Sequence, residues 1–343
     1  MRIGITYNLK SDILPASRVP LPEDALEEFD LPETIEAIQS VLSQAGHEVH
    51  LLGGDLNVIE KIKRFEIEFV FNIAEGFQGR NREAHIPALL ESLQIPYSGS
   101  DPLGLAVTLD KSFAKRIAIS LGILTPDFWV VEEKGNLSAV PDRFPLFVKP
   151  LWQGSSIGIR FSSLVKDCSE LEKEINRLFN NYPNQPILVE KYISGREFTV
   201  GIVGNQPPEI IGVMEVSYSN PSKKDFCYSL EVKRNWKEVV QYQCPAQLDP
   251  SSEKEIRDVS LKLFKTLGLR DVARFDFRMN REGKIYFLEV NPLPGLSPES
   301  GDLVILAQKR GLSYSQLIRK ILHSALDRHP SLHSSKSKEK IDG

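Results

Sequence analysis

Cysteine is scarce. The three in this 343-residue chain, Cys168, Cys227 and Cys244, are odd in number and far apart, so neither a disulfide framework nor a zinc spacing emerges. No apolar run approaches a membrane span, and the N-terminus lacks a charged region followed by an apolar stretch and a cleavage site. Charge of neither sign prevails: 42 Lys and Arg stand against 46 Asp and Glu, a formal charge of −4. That leaves no electrostatic case for nucleic acid or an anionic membrane. Two nucleotide fingerprints are missing as well. No Gly-Lys-Ser/Thr follows the glycine-bearing loop near residue 154, and no dinucleotide glycine pattern follows the first strand, which excludes a Walker-type site and a dehydrogenase. The six histidines are scattered; His47 and His50 read as edge or surface residues. A cytoplasmic enzyme of two or three packed units, with small molecules as partners, fits these exclusions.

What is present centres on residues 270–291. Two strand-like runs, Val272–Phe277 and Lys284–Val290, flank a turn at Asn280–Gly283. Alternation puts Arg274 and Asp276 on one face of the first strand, and Glu289 and Asn291 on one face of the second. Oxygen-only ligands suit magnesium beside a nucleotide phosphate, and arginine's planar fork meets phosphate or carboxylate. A solvated polar hairpin face is the plain alternative. The stiff run Pro292–Ser300 that follows favours the site.

Along the chain, Met1–Tyr7, His47–Leu52 and Ile67–Asn72 read as strands around a helix that Asp30 caps with Glu33 as its partner, a parallel α/β unit ending near Pro102. Asn72 opens a polar loop with Glu75, Arg80, Arg82 and Glu83, placed where open sheets bind ligands. Arg82 and Glu83 are equally readable as a loop ion pair. The loop at Gly154, Ser155 and Ser156 can cradle phosphates through backbone N–H groups. Ile187–Glu190 and Arg196–Val200 bracket a plausible adenine slot. Further strands are expected at Ile210–Val216 and Phe226–Val232, and a frayed tail from Asp327.

The ordered set Asp110-Lys111, Val148-Lys149-Pro150, Gly154–Gly158, Glu190-Lys191, Gly195–Val200, Ala273–Asp276 and Phe287–Gly295 resembles the D-alanine–D-alanine ligases of the ATP-grasp superfamily, from about Phe71 to Leu326. The resemblance implies an α/β ATP-grasp fold: an N-terminal parallel α/β domain (1–102), then central (103–185) and C-terminal (186–326) α+β lobes clasping ATP, and a polar tail (327–343). It implies ATP and two Mg2+ ions, with Mn2+ as a substitute, small amino-acid substrates and a homodimer. Lys111, Lys149, Gly154, Ser155 and Ser156 then face the phosphates. Glu190, Lys191 and Ile193 face adenine, and Glu197 faces ribose. Asp276, Glu289 and Asn291 are the implied metal ligands. Arg274 steadies the acyl phosphate and oxyanion, Lys233 sits on a closing loop spanning 217–240, and Gly295 and Ser300 hold the acceptor carboxylate.

The departures fall on the amino-acid half of the site. Those ligases carry a Gly-Gly turn and a motif ending Glu-Val-Ser-Leu, whose glutamate holds the first ammonium. Here Asn8–Asp12 follows the first strand, and no such motif is evident. The usual His-Gly segment is replaced by Glu75–His85, the tyrosine beside Lys233 by Arg234, and a larger apolar residue by Gly301. Glu75 and Glu83 are the candidate replacement anions, with Asp12 weaker. Arg80, Arg82 and Arg234 either receive a second substrate carboxylate or pair with Glu75 and Glu83. The substrate is expected to be D-alanine, with another amino acid or small peptide as the alternative.

Overall fold

The computed structural model describes residues 1–13, 21–183, 185–220, 227–330 and 332. The Asp12 side chain, Lys223, Lys224, Phe226 and the serine- and lysine-rich tail lie outside what is described.

Among the described residues, three sheets carry the fold. The first is parallel, in the order β2-β1-β3, from β1 (Arg2–Thr6), β2 (Glu48–Leu51) and β3 (Phe69–Asn72). Ile3 and Ile5 of β1 are buried, and all four residues of β3 are, as expected of strands covered on both faces. The helix Pro32–Gln44 turns Ile35, Ile38 and Leu42 inward. Its start differs from the expected cap: Leu31 occupies the N-cap position without a side-chain cap, and Pro32 supplies the fixed φ of the first turn. Asp30 instead bridges to Leu9, its N–H donating to the Asn8 carbonyl at 3.1 Å.

The second sheet is antiparallel, in the order β4-β7-β5-β6, from β4 (Phe128–Val131), β5 (Leu146–Pro150), β6 (Leu164–Val165) and β7 (Ile187–Lys191). The boundary expected at 185/186 is corrected by this pairing. β7 lies inside the small sheet, hydrogen-bonded to β4 and β5; its Ile187 and Val189 enter that core, and Leu188 is buried too. The helix Lys111–Ser120, expected in the central lobe, packs Ala114 and Ala118 into the core of the third sheet.

That third sheet runs β10-β9-β8-β11-β12, all antiparallel, from β8 (Gly195–Val203), β9 (Glu209–Tyr218), β10 (Val240–Gln243), β11 (Val272–Asn280) and β12 (Ile285–Asn291). Phe275, Phe277 and Phe287 are buried on one side of the β11–β12 hairpin. Its turn is held by Asn280, whose Oδ1 accepts from the N–H groups of Glu282 (3.0 Å) and Lys284 (2.9 Å), while Gly283 takes φ +81°. The strand expected at Phe226–Val232 is not one within the described residues: Leu230–Arg234 is a short helix, with Ser229 Oγ accepting from the Val232 N–H. Helices Asp302–Lys309 and Tyr314–Asp327 join the first sheet and β9 in one continuous core, so the N-terminal and C-terminal lobes are packed together. No helix of the described residues is long and apolar enough to cross a membrane.

Candidate active site

The hairpin register decides the centre of the site. Arg274 lies opposite Asn291, and Asp276 opposite Glu289, so the alternation anticipated from sequence brings all four to one face. Asp276 is held from three sides: Thr199 on the neighbouring β8 donates to Oδ1 at 2.8 Å, and Arg274 (2.9 Å) and the Asn291 amide (3.2 Å) donate to Oδ2. Arg274 also lies 3.6 Å from Asp302, at the start of the next helix. Burial works against the Arg274 charge, but Asp276 and Asp302 outweigh it and hold the guanidinium firmly protonated.

Above this face opens a cavity of about 300 Å³. One end is apolar, walled by Pro126, Phe147, Ile193, Val216 and Leu288, with Lys191 and Glu197 at its rim. The middle carries the lysines. Lys149 sits 3.0 Å from Glu190 and 3.7 Å from Glu289, and Lys111 sits 3.7 Å from Glu289. Burial raises the Glu289 carboxyl, yet Lys111 and Lys149 overcome it and hold it down at about 2. Lys115, fully buried, lies 2.5 Å from the other oxygen of Glu190. Burial draws Lys115 down to about 8 against the pull of Glu190. The carboxylate of Glu190, expected on adenine, is therefore taken up by two lysines. Burial lifts Glu197 to about 7 even with Arg278 only 3.4 Å away.

The glycine-bearing loop forms the roof. Ser155 and Ser156 adopt φ of +48° and +61°, a turn that points backbone groups inward. The Gly154 N–H donates to Glu28 at 3.0 Å and the Gly158 N–H to Asp24 at 2.8 Å. The carbonyls of Gln153 and Ser155 accept from Lys111 (2.5 Å) and Lys233 (3.2 Å). The last end of the cavity is formed by Gly295, Ser297, Ser300, Gly301 and Asp302. A side chain at Gly301 would meet the Gly295 carbonyl at 2.6 Å, so the larger residue usual in related chains has no room. Tyr228 and Tyr242 hydroxyls close this end on Asp302, at 3.3 and 3.1 Å.

A side chamber of about 50 Å³ shares Lys111, Ser155, Arg274, Glu289 and Gly295 with the main cavity, and adds Asn291, Glu75 and Glu83. The residues anticipated for ATP, metal and acceptor, together with Glu75 and Glu83, thus line one or both spaces; Arg80, Arg82 and Arg234 do not. Glu28 is the main omission. It lines both, and its two carboxylate oxygens both accept from Arg82 Nη2, at 2.7 and 2.8 Å. Its run Glu28-Phe29-Asp30-Leu31 precedes the first long helix, an acid–apolar–polar–leucine order displaced about twenty residues from the strand where it was sought. Lys115 could have been found from its i+4 spacing to Lys111. Burial, with Glu28 and Glu83 close by, pushes the Glu75 carboxyl well up; burial holds Glu83 at about 7 despite Arg82.

Three arginines do not reach the cavity as free carboxylate receptors. Arg82 is buried against Glu28 and the Trp152 carbonyl, not Glu75 or Glu83. Arg80 pairs with Asp110 at 3.0 Å and stacks over Phe113. Arg234 pairs with Glu27 at 3.1 Å.

Comparison with known proteins agrees with this geometry. Residues 120–323 match the family described as D-ala D-ala ligase C-terminus. The D-alanine–D-alanine ligase of Aquifex aeolicus is 34% identical over 291 residues, covering 84% of this chain and 94% of that protein. An uncharacterised protein of Sinorhizobium fredii is 34% identical over 304 residues, with 86% and 88% covered. The crystal structure of D-alanine–D-alanine ligase from Bacillus anthracis complexed with ATP superposes with a TM-score of 0.74 at 25% identity, covering 96% of this chain and 99% of that one. The fold is the ATP-grasp fold, and the chain belongs to the D-alanine–D-alanine ligase family of ATP-dependent carboxylate–amine ligases.

Proposed function

We propose that the chain joins two small amino acids, with D-alanine the first to be tested at both positions. One observation supports this most: Arg274, Asp276, Glu289 and Asn291 share a face beneath buried Lys111 and Lys149, beside a glycine-bearing loop. ATP lies with adenine in the apolar end near Lys191 and Ile193, ribose at Glu197, and its phosphates under Gly154, Ser155 and Ser156. Glu190 serves by positioning Lys149. The donor set Asp276, Glu289 and Asn291 is oxygen-only, which fits two magnesium ions, or manganese in their place. When bound, the metal neutralises charge on the transferring phosphoryl group. Lys111, Lys149 and Lys233 add fixed positive charge there. Arg274 stabilises the oxyanion as the acceptor amine attacks the acyl phosphate, and Ser300 with the Gly295 turn orients the acceptor carboxylate. Glu75 and Glu83 hold the donor ammonium, since Glu28 is already paired with Arg82.

The test is ADP release by Glu289→Ala with the fold intact. A loss of at least a hundredfold is expected; near-normal turnover refutes the metal assignment. A screen of D- and L-amino acids in pairs, with mass analysis of the product, identifies the substrates. Another amino acid or a small peptide is the second reading, favoured by the acidic side chamber. A cytoplasmic setting and a homodimer complete the proposal.

A further inference from the structure

The side chamber gathers more carboxyl groups than one ammonium can meet. Carboxylate oxygens of Glu28, Glu75 and Glu83 all lie within 4.8 Å of one another. Glu28 is satisfied by Arg82 Nη2 and the Gly154 N–H. Lys111 and Lys149 flank Glu289, and Arg274 is paired with Asp276. Glu75 and Glu83 remain. Neither has a hydrogen-bond or ion-pair partner among the described residues, and Glu83 is only 7% exposed. Glu75 is half-buried, and Arg82 acts on both groups, with Lys111 on Glu83, only at longer range; carboxyls placed like this without a close cation carry a desolvation cost that a bound ligand of matching charge removes. An α-ammonium matches one of them. The chamber's 50 Å³ is space for about four water-sized groups, enough for that ammonium and a side chain of one or two carbons ending in another.

Resting on the ligase reading, we infer that the donor substrate is a short diamino acid, of the 2,3-diaminopropionate or 2,4-diaminobutyrate type, whose two ammonium groups meet Glu75 and Glu83. The donor carboxylate is then directed at Arg274 and the metal face, which share the chamber wall.

The experiment measures ADP release by the full chain with ATP and magnesium, supplying 2,3-diaminopropionate, 2,4-diaminobutyrate, alanine or serine in either chirality, alone and paired with alanine. The expected result is a kcat/KM for a diamino acid at least tenfold above that for alanine of the same chirality. Glu83→Gln and Glu75→Gln should each lower that ratio tenfold or more. A ratio at or below one in the wild type overturns the inference while leaving the ligase intact; the carboxyl pair would then share a proton or hold an inorganic cation. A ratio that both variants leave unchanged overturns it too. If a variant does not fold, the wild-type ratio decides alone. No ADP release with any amino acid would instead count against the ligase reading itself.

Discussion

Replacing Arg82 by methionine isolates the electrostatics of the acidic chamber. Arg82 is 3% exposed; its Nη2 donates to both oxygens of Glu28 and its Nη1 to the Trp152 carbonyl at 2.7 Å. Methionine fills much of the volume but removes the cation paired with Glu28, which also acts at longer range on Glu75 and Glu83. Two unit charges at 4.8 Å repel by roughly 3–4 kcal/mol at an effective dielectric of about 20. The folded chain escapes this by binding a proton. For a carboxyl of ordinary pKa near 4.5, that costs about 4 kcal/mol at pH ~7.5 and about 1.4 kcal/mol at pH ~5.5. Repulsion and protonation are comparable, so the variant should lose about 3–5 kcal/mol near pH 7.5, the usual cost of breaking a buried pair. The sign of the pH dependence follows. A carboxyl raised in the folded state contributes stability below its unfolded pKa and loses it as pH rises through its folded value. Each extra proton should therefore restore about 2.7 kcal/mol between pH ~7.5 and ~5.5. The assay is urea unfolding of variant and wild type at both pH values, with the wild-type change subtracted, since Glu83 already titrates at about 7. A variant deficit that is the same at both pH values refutes the reasoning.

Four further outcomes are expected. Lys115→Met leaves Glu190 with Lys149 alone; it should cost about 3 kcal/mol in unfolding experiments and weaken ADP binding, and an unchanged ADP affinity would remove Lys115 from the site. Ser300→Ala should raise the acceptor KM more than the ATP KM, whereas equal effects would argue against an acceptor role. Nucleotide, magnesium and substrate together should slow proteolysis within residues 217–240; unchanged cutting would deny that this segment is a lid. Light scattering should return twice the 38.6 kDa chain mass, and a monomer mass would reject the homodimer.

The parts of this molecule that sequence displayed are those set by short-range rules. The period-2 alternation of β11 and β12 put Arg274, Asp276, Glu289 and Asn291 on one face, and the register bears this out. Glycines at Gly154 and Gly158 marked the roof loop. Partners chosen by tertiary packing were hidden. Nothing local says that Arg82 turns to Glu28, 54 residues away, or that β7 completes the small sheet before the chain crosses to β8. Glu28 escaped notice because the stretch after β1 offers no periodicity, and Asp30 looked like a helix cap. At the short helix Leu230–Arg234, Tyr228, Leu230 and Val232 alternate as in a strand, but Ser229 supplies a cap that favours the helix.

The divergent N-terminal segment also binds the movable pieces of the site together. Asp24 accepts from the Gly158 N–H and the Arg160 guanidinium, both at 2.8 Å. Glu28 accepts from the Gly154 N–H. The Glu27 carbonyl accepts from Lys233 at 3.3 Å, and its carboxylate pairs with Arg234. Residues 24–28 thus touch both ends of the roof loop and the helix carrying Lys233. Hydrogen bonds to buried charged groups contribute more than neutral ones, and Asp24 is fully buried. The Tyr182 hydroxyl donates a further bond to Asp24. A segment that both lines the chamber, through Glu28, and grips the roof couples the two. On the proposed reading, a change in the charge occupying the chamber acts on Glu28, and through the Gly154 N–H on the roof loop. Donor recognition and closure over ATP would then share one short stretch of chain, and a change of substrate preference in it would also change how the site shuts.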